Sequence, residues 1–278
     1  MKKISRRSFL AAAGLSVAAL ALTACGGSSA STASSVASSA ASSEAASSAA
    51  AGELTTVEAG KLTMATNAAF PPYEMTTDAG EFEGIDIETA QAIADKLGLE
   101  LQIDDMDFDA ALLSVQQGKA DIVMAGVTVT DERKAVMDFS DSYATGIQSI
   151  IVPEGSDITS PDDLAGKKIG TQRGTTGYIY CSDDFGDDAV VAYDDGLTAV
   201  QALNNGQVDA VVIDNAPAKE FVAANPGLVI LDTSYAEEDY AIGLAKGSAL
   251  EDAVNAALEE LKADGTLQSI VDKYITAE

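Results

Sequence analysis

The segment Val115-Gln-Gln-Gly118-Lys-Ala-Asp121-Ile-Val123-Met-Ala125-Gly126 returns without a gap as Leu203-Asn-Asn-Gly206-Gln-Val-Asp209-Ala-Val211-Val-Ile213-Asp214, 88 residues later. Each copy reads as a helix end, a glycine that stops it, an acidic turn and a buried strand. Two such units this far apart imply two similar lobes rather than a single wide sheet. In open α/β sheets ligands sit beyond the carboxyl ends of the strands. The residues that close the two copies, Gly126 to Thr128 and Asp214, are therefore the places to look for a site, one in each lobe.

Outward from the repeat, short β-rich runs alternate with amphipathic helices. Lys61 to Thr66, Leu101 to Ile103, Ile122 to Ala125, Lys168 to Thr171 and Ala210 to Ile213 read as strands. Asp86 to Leu97 reads as a helix with Ile87, Ala90, Ile93, Ala94 and Leu97 on one stripe, ended by Gly98. Ser160 and Pro161 start a short helix with a serine cap and a proline at its first position. Ser248-Ala-Leu-Glu251 has the form of a capping box ahead of a stripe of Leu250, Val254, Ala257, Leu258 and Leu261. Alternation of this kind predicts an α/β architecture with largely parallel sheets.

The N-terminal fifth differs in kind. Residues 1 to 24 carry Lys2, Lys3, Arg6 and Arg7 and no acid, followed by an apolar run of 14 residues from Phe9 to Leu22. That run is shorter than the roughly 20 residues a bilayer span needs, and with small residues before Cys25 it reads as an export signal. Leu22-Thr-Ala-Cys25 resembles a bacterial lipobox, which implies lipidation of Cys25; Ser5-Arg6-Arg7-Ser8-Phe9-Leu10 resembles a twin-arginine signal. From Ser28 to Ala51, 21 of 24 residues are Ser or Ala, a tether that cannot bury a core.

Composition narrows the chemistry. The 278 residues include 44 acids, 16 Lys and Arg, no histidine and two cysteines, for a formal charge of −28. Histidine triads, histidine zinc sites and imidazole acid–base catalysis are excluded, and so much negative charge repels phosphate backbones, which argues against nucleic acid as a partner. Cys181 reads as a small buried thiol. The Asp183-Asp184, Asp187-Asp188 and Asp194-Asp195 pairs lack calcium-loop spacing and read as solvated surface. Nothing in the chain calls for a cofactor or a metal, and it holds no P-loop.

Six further segments occur in a recognisable order: Thr66-Asn-Ala-Ala-Phe70-Pro-Pro-Tyr73-Glu, Gly84-Ile-Asp86-Ile-Glu, Asp121 to Arg133, Phe139-Ser-Asp-Ser-Tyr143, Gly174-Thr-Thr176-Gly and Asp209 to Asp214. Together they resemble the polar amino-acid family of periplasmic-type substrate-binding proteins, the extracellular receptors of ABC importers. The resemblance implies a two-lobed α/β fold, periplasmic-binding-protein-like of type II, whose lobes are joined by two crossing strands and close on the ligand. Lobe 1 would take 56–146 and 241–278, and lobe 2 would take 147–240, after the signal peptide (1–24) and the lipidated tether (25–55). It also implies a monomer on the outer face of the cytoplasmic membrane or in the periplasm, with a permease and a separate ATPase as partners.

A zwitterionic amino acid needs a fork of donors for its carboxylate and a negatively charged acceptor for its ammonium. Arg133 suits the first, because guanidinium stays charged and pairs with carboxylate bidentately. The resemblance gives it that role, with Thr128 and Thr176 as further donors at the carboxylate, Gly126 as a carbonyl and Asp214 as the acid for the ammonium, and Phe70 stacking on the side chain. The turn at Gly174 precedes a helix, whose first N–H groups favour an anion. Asn67 stands where relatives that take cationic side chains commonly carry an acid, so the expected ligand is a neutral polar amino acid; Glu74 or Asp109 could reverse this. Asp107 and Asp109 read as a solvated turn. A dehydratase acting on arogenate- or prephenate-like acids and a ligand-sensing domain are the other functions this fold can host.

Overall fold

The computed structural model describes residues 54–275. The readings of the export signal, the lipobox at Cys25 and the tether lie outside these residues.

The chain first builds a sheet from β1 (Lys61–Thr66), then a small three-stranded sheet from β2 (Ala69–Phe70), β3 (Glu74–Thr76) and β4 (Phe82–Glu83). Helix α1 (Ile85–Leu97) returns it to β5 (Glu100–Asp105), and α2 (Phe108–Gln116) leads to β6 (Ile122–Val123). After α3 (Asp131–Val136) and β7 (Met137–Phe139) the chain leaves for a second sheet. That sheet takes β8 (Ala144–Pro153), β9 (Ile169–Gln172), α4 (Thr176–Phe185), β10 (Val190–Tyr193), α5 (Gly196–Asn204), β11 (Ala210–Asp214), α6 (Asn215–Ala224), β12 (Leu228–Ile230) and β13 (Ala236–Tyr240). The chain then returns with β14 (Gly243–Ala245), α7 (Glu251–Ala263) and α8 (Thr266–Tyr274), which pack on the first sheet.

The first sheet has the order β5-β1-β6-β14-β7 and the second β10-β9-β11-β8-β12, with β13 on the far part of β8. β5-β1-β6 and β10-β9-β11 pair in parallel, and β7 in the first sheet and β12 and β13 in the second point the same way as these, across an antiparallel β14 or β8. The strands therefore point largely one way, as the alternation of helices and strands implies, with one reversed strand in each sheet. The reversed strands are the two that receive the chain from the opposite lobe, β8 and β14, because a strand that arrives from there enters from the other end. These crossings lie side by side: Tyr240 pairs with Ala144, Tyr143 N–H donates to Tyr240 O (2.9 Å) and Ser140 N–H to Ile242 O (2.9 Å).

The repeat is structural. Gly118 and Gly206 have φ of 65° and 66°, the left-handed conformation glycine adopts without steric cost. Asp121 N–H donates to Thr63 O at 2.9 Å, and its carboxylate accepts Thr63 N–H at 2.8 Å. Asp209 does the same with Lys168, at 2.7 Å each way. In both lobes the aspartate thus fixes the start of its strand beside the parallel neighbour, β1 or β9.

Helix α1 begins at Ile85 and ends in a left-handed Gly98, and the stripe of Ile87, Ala90, Ile93 and Ala94 is buried against α7 and α8. Burial of an aliphatic chain of this kind contributes about 1.5–3 kcal/mol. The predicted stripe of α7 is buried throughout, but its capping box is not formed: Leu250 stands at the cap, and Ser248 Oγ accepts only from Leu250 N–H, at 3.2 Å. The segment after Ser160 is a single 3₁₀ turn, Pro161–Leu164, held by Asp163, whose carboxylate accepts the Ser160 N–H at 3.0 Å. Cys181 is buried in the second lobe's core, where desolvation pushes its thiol up to about 12. Among the described residues no helix is long and apolar enough to cross a membrane.

Candidate functional site

The carboxyl ends of β1, β6, β9 and β11 converge on one cleft between the two sheets. Its walls include Asn67, Phe70, Gly126, Thr128, Arg133, Thr176 and Asp214, all seven residues singled out by sequence, with Glu74, Phe108, Gln148, Gln172 and Tyr240. The space they leave is about 430 Å³, counting the part open to solvent.

Arg133 lies one turn into α3, which Thr130 caps by accepting the Arg133 N–H. Its side chain is 8% exposed and does not pair with the adjacent Asp131 or Glu132. Instead Nη1 donates to Thr128 O (2.8 Å), Nη2 donates to Gly174 O of the opposite lobe (3.1 Å), and the guanidinium sits over the Phe108 ring at 5.4 Å. A guanidinium carries five N–H donors, so more than half of its capacity remains for an anion. Burial lowers its pKa, an effect the Glu238 charge opposes, and arginine stays charged. Thr176 opens α4 behind its cap, Thr175, and its hydroxyl lies 3.4 Å from that of Thr128 across the lobes. Thr128 Oγ1 also donates to Glu238 Oε2 (3.0 Å), which accepts Gln148 Nε2 at the same distance. A hydroxyl has one proton, so in this arrangement Thr128 faces a ligand with lone pairs only.

The opposite end is acidic. Asp214 closes β11 and caps α6: its carboxylate accepts Ala216 N–H at 3.0 Å and Ile147 N–H at 2.7 Å. Its reading as a helix cap and its reading as a cleft acid are therefore both true. Burial pushes it up to about 6 despite those two donors. Asp86, in the first turn of α1, is pushed up to about 6 for the same reason while accepting Gly126 N–H at 3.0 Å. Gly126 has φ of 54°, and a Cβ there would stand 2.8 Å from the Phe70 ring and 3.2 Å from Tyr240. Only glycine lets this turn approach the rings, which form a stack of Phe70 on Tyr73 (5.9 Å) and an edge contact of Tyr73 with Tyr240 (5.4 Å).

Asn67 lines the cleft and also ties it together. Its Nδ2 donates to Met106 O (3.0 Å) and its Oδ1 accepts Gln172 Nε2 of the other lobe (2.8 Å), which leaves one N–H and one lone pair for a ligand. Of the two acids named as able to reverse a neutral specificity, Glu74 lines the cleft, whereas Asp109 is exposed and accepts only the Ala110 N–H beside it. Asp195 caps α5, Asp184 accepts Tyr235 OH, and no cluster of three acids or cysteines among the described residues could hold a metal.

Residues 62–277 match the model of the bacterial extracellular solute-binding proteins, family 3. The chain belongs to this family. Members similar to it include the L-cystine-binding protein TcyJ of Escherichia coli K12, 34% identical over 226 residues that cover 80% of this chain and 85% of that protein. An ancestral arginine-binding protein bound to glutamine superposes with a TM-score of 0.75 at 42% identity, covering 78% of this chain and 99% of its own. An ancestral arginine-binding protein bound to arginine gives a TM-score of 0.74 at 43% identity, covering 78% of this chain and 98% of its own. The chain thus has the two-lobed type II periplasmic-binding-protein fold.

Gln172 and Tyr240 were absent from the sequence-based site. Gln172 ends β9 and could have been reached by the strand-end rule that found Asp214. Gln148 and Glu238 lie inside strands that cross between lobes, and no local pattern marks them.

Proposed function

We propose that this protein captures a polar L-amino acid by closing its lobes on it and delivers it to a membrane permease powered by a separate ATPase. The observation that carries this reading is the division of one cleft into a cation end, Arg133, and an acid end, Asp214, as a zwitterion requires. Family membership supports it, as do the relatives named for cystine and arginine and the ancestral protein bound to glutamine. In this reading Arg133 and Thr176 hold the α-carboxylate, Gly126 O and Asp214 the ammonium, and Phe70 and Glu74 meet the side chain. Asn67, an amide with one N–H and one lone pair unused, suits a neutral polar side chain, and Glu74 in the cleft wall admits a cationic one as well. Closure selects the ligand because only the closed state offers contacts from both lobes.

The remaining parts belong to the same proposal. A signal peptide of residues 1–24 leaves Cys25 lipidated on a Ser/Ala tether to residue 55, and lobes of 56–146 with 241–278 and of 147–240 form a monomer outside the cytoplasmic membrane. The chain turns over no substrate. Thermal-shift screening of the purified protein against the common amino acids tests the ligand class. At a concentration a thousandfold above Kd a ligand adds about 4 kcal/mol and raises Tm by roughly 10 °C. No shift with any amino acid contradicts it. Turnover of arogenate or prephenate would restore the dehydratase reading, and a Cys25→Ala protein that remains membrane-bound would contradict the anchor.

A further inference from the structure

The two ends of the cleft differ in how their charges are answered. Arg133 is held by two carbonyls, and Asp214 by two backbone N–H groups. Glu74, the first residue of β3, is fully buried and lines the cavity, and neither of its carboxyl oxygens has a hydrogen-bond partner among the described residues. Asp86 lies beside it, equally buried, with Oδ2 taken by Gly126 N–H and Oδ1 without a partner. The charged groups around Glu74 are Asp86 from α1, Asp105 from the end of β5 and Asp214 from the end of β11. The hydroxyls of Tyr73, Tyr143 and Tyr240 share this acidic surrounding, and Arg133 is the one cation lining the cavity.

Two carboxyls buried together cannot both ionise without a counter-charge. Burial first, and the Asp86 charge second, hold Glu74 well above the usual carboxylate range, and two buried acids that have no cation beside them are favoured in a state that shares one proton. A protonated carboxyl donates one hydrogen bond, whereas an ionised one only accepts. Glu74 can therefore present either of two surfaces to a side chain.

Resting on the amino-acid reading above, we propose that Glu74 reads the ligand's side chain in two protonation states. As a carboxylic acid it donates its O–H to the carbonyl oxygen of a neutral amide. Against a guanidinium or ammonium side chain the O–H bond breaks, the electron pair stays on Glu74 as carboxylate, and the proton leaves to solvent. One cleft then accepts both kinds of amino acid, and only the cationic kind expels a proton. The α-ammonium and α-carboxylate are common to both, so the contributions of Asp214 and Arg133 cancel in the comparison.

Titration calorimetry on the full chain with L-arginine and L-glutamine, each in phosphate and in Tris at pH 7.5, counts the protons released. Arginine is expected to release about one proton more than glutamine, and its affinity relative to glutamine to rise up to tenfold per pH unit below the pKa of Glu74. In Glu74→Gln the difference disappears and arginine binding falls at least about a hundredfold, as loss of a buried charge partner implies, while glutamine binding persists. Arginine binding without extra proton release overturns the proposal, and the wild-type comparison stands even where the variant fails to fold. Binding of neutral amino acids with no binding of arginine also overturns it and leaves the proposed function intact. No binding of any amino acid overturns both.

Discussion

The two copies of the helix–turn–strand unit share their scaffold and differ at the last residue. In each, a left-handed glycine ends the helix and an aspartate clasps the neighbouring strand's backbone. The first copy then ends in Gly126, with no side chain, which brings its backbone up to the Phe70 and Tyr240 rings and rests its N–H on the buried Asp86. The second ends in Asp214, which supplies the carboxylate itself. Both lobes thus place an acid at the same end of the cleft, one directly and one through a glycine. The fold is kept by the turns that match, and binding is assigned to the position that does not.

That contrast can be broken at several points. The largest loss is expected in Arg133→Ala, which removes the cation both acids are set against. Truncating one partner of a buried charge pair costs about 2–5 kcal/mol, so affinity should fall on the order of a thousandfold by calorimetry. Gly126→Ala should follow: with φ of 54° and the Phe70 ring 2.8 Å from the added Cβ, the turn must shift, and a loss of about a hundredfold with lower Tm is expected. Asp214→Asn should weaken binding by about tenfold to a hundredfold yet stabilise the ligand-free protein.

The sign of that last effect follows from the raised acids. A carboxyl whose folded pKa is about 6 holds a proton that the unfolded chain loses near 4, so its contribution is complete below about 4 and is lost as pH rises through 6. Each such acid then weakens the ligand-free fold by on the order of 3 kcal/mol at pH 7.5. The Tm without ligand should therefore fall between pH 5 and 7.5, and Asp214→Asn should flatten that fall; an unchanged slope would contradict it. The smallest expected effects are Gly118→Ala and Gly206→Ala, which put a Cβ into open space at a left-handed turn. About 1 kcal/mol each, with ligand affinity unchanged, would confirm that the matching turns serve the fold alone.

Much of this organisation is legible in the chain. The strand at Lys61 to Thr66, the α1 and α7 stripes, the paired turns and the cleft position of seven named residues follow from periodicity, glycine placement, the strand-end rule and the family motif. The antiparallel crossings are not legible locally, since they depend on which lobe a strand enters from. The state of Asn67 depends on Gln172, 105 residues away, and the unpartnered carboxyl of Glu74 on how α1 and β3 pack. Residue type announces what a side chain can do; which partner has already taken it is a tertiary fact.

The central claim is that the cleft holds an α-carboxylate at Arg133 and an α-ammonium at Asp214. The most direct measurement titrates the amino acid that gives the largest thermal shift alongside its decarboxylated amine and its desamino acid. Each truncated analogue should bind at least about a hundredfold more weakly, since each leaves one buried charge unpaired. Full affinity for either would contradict the account.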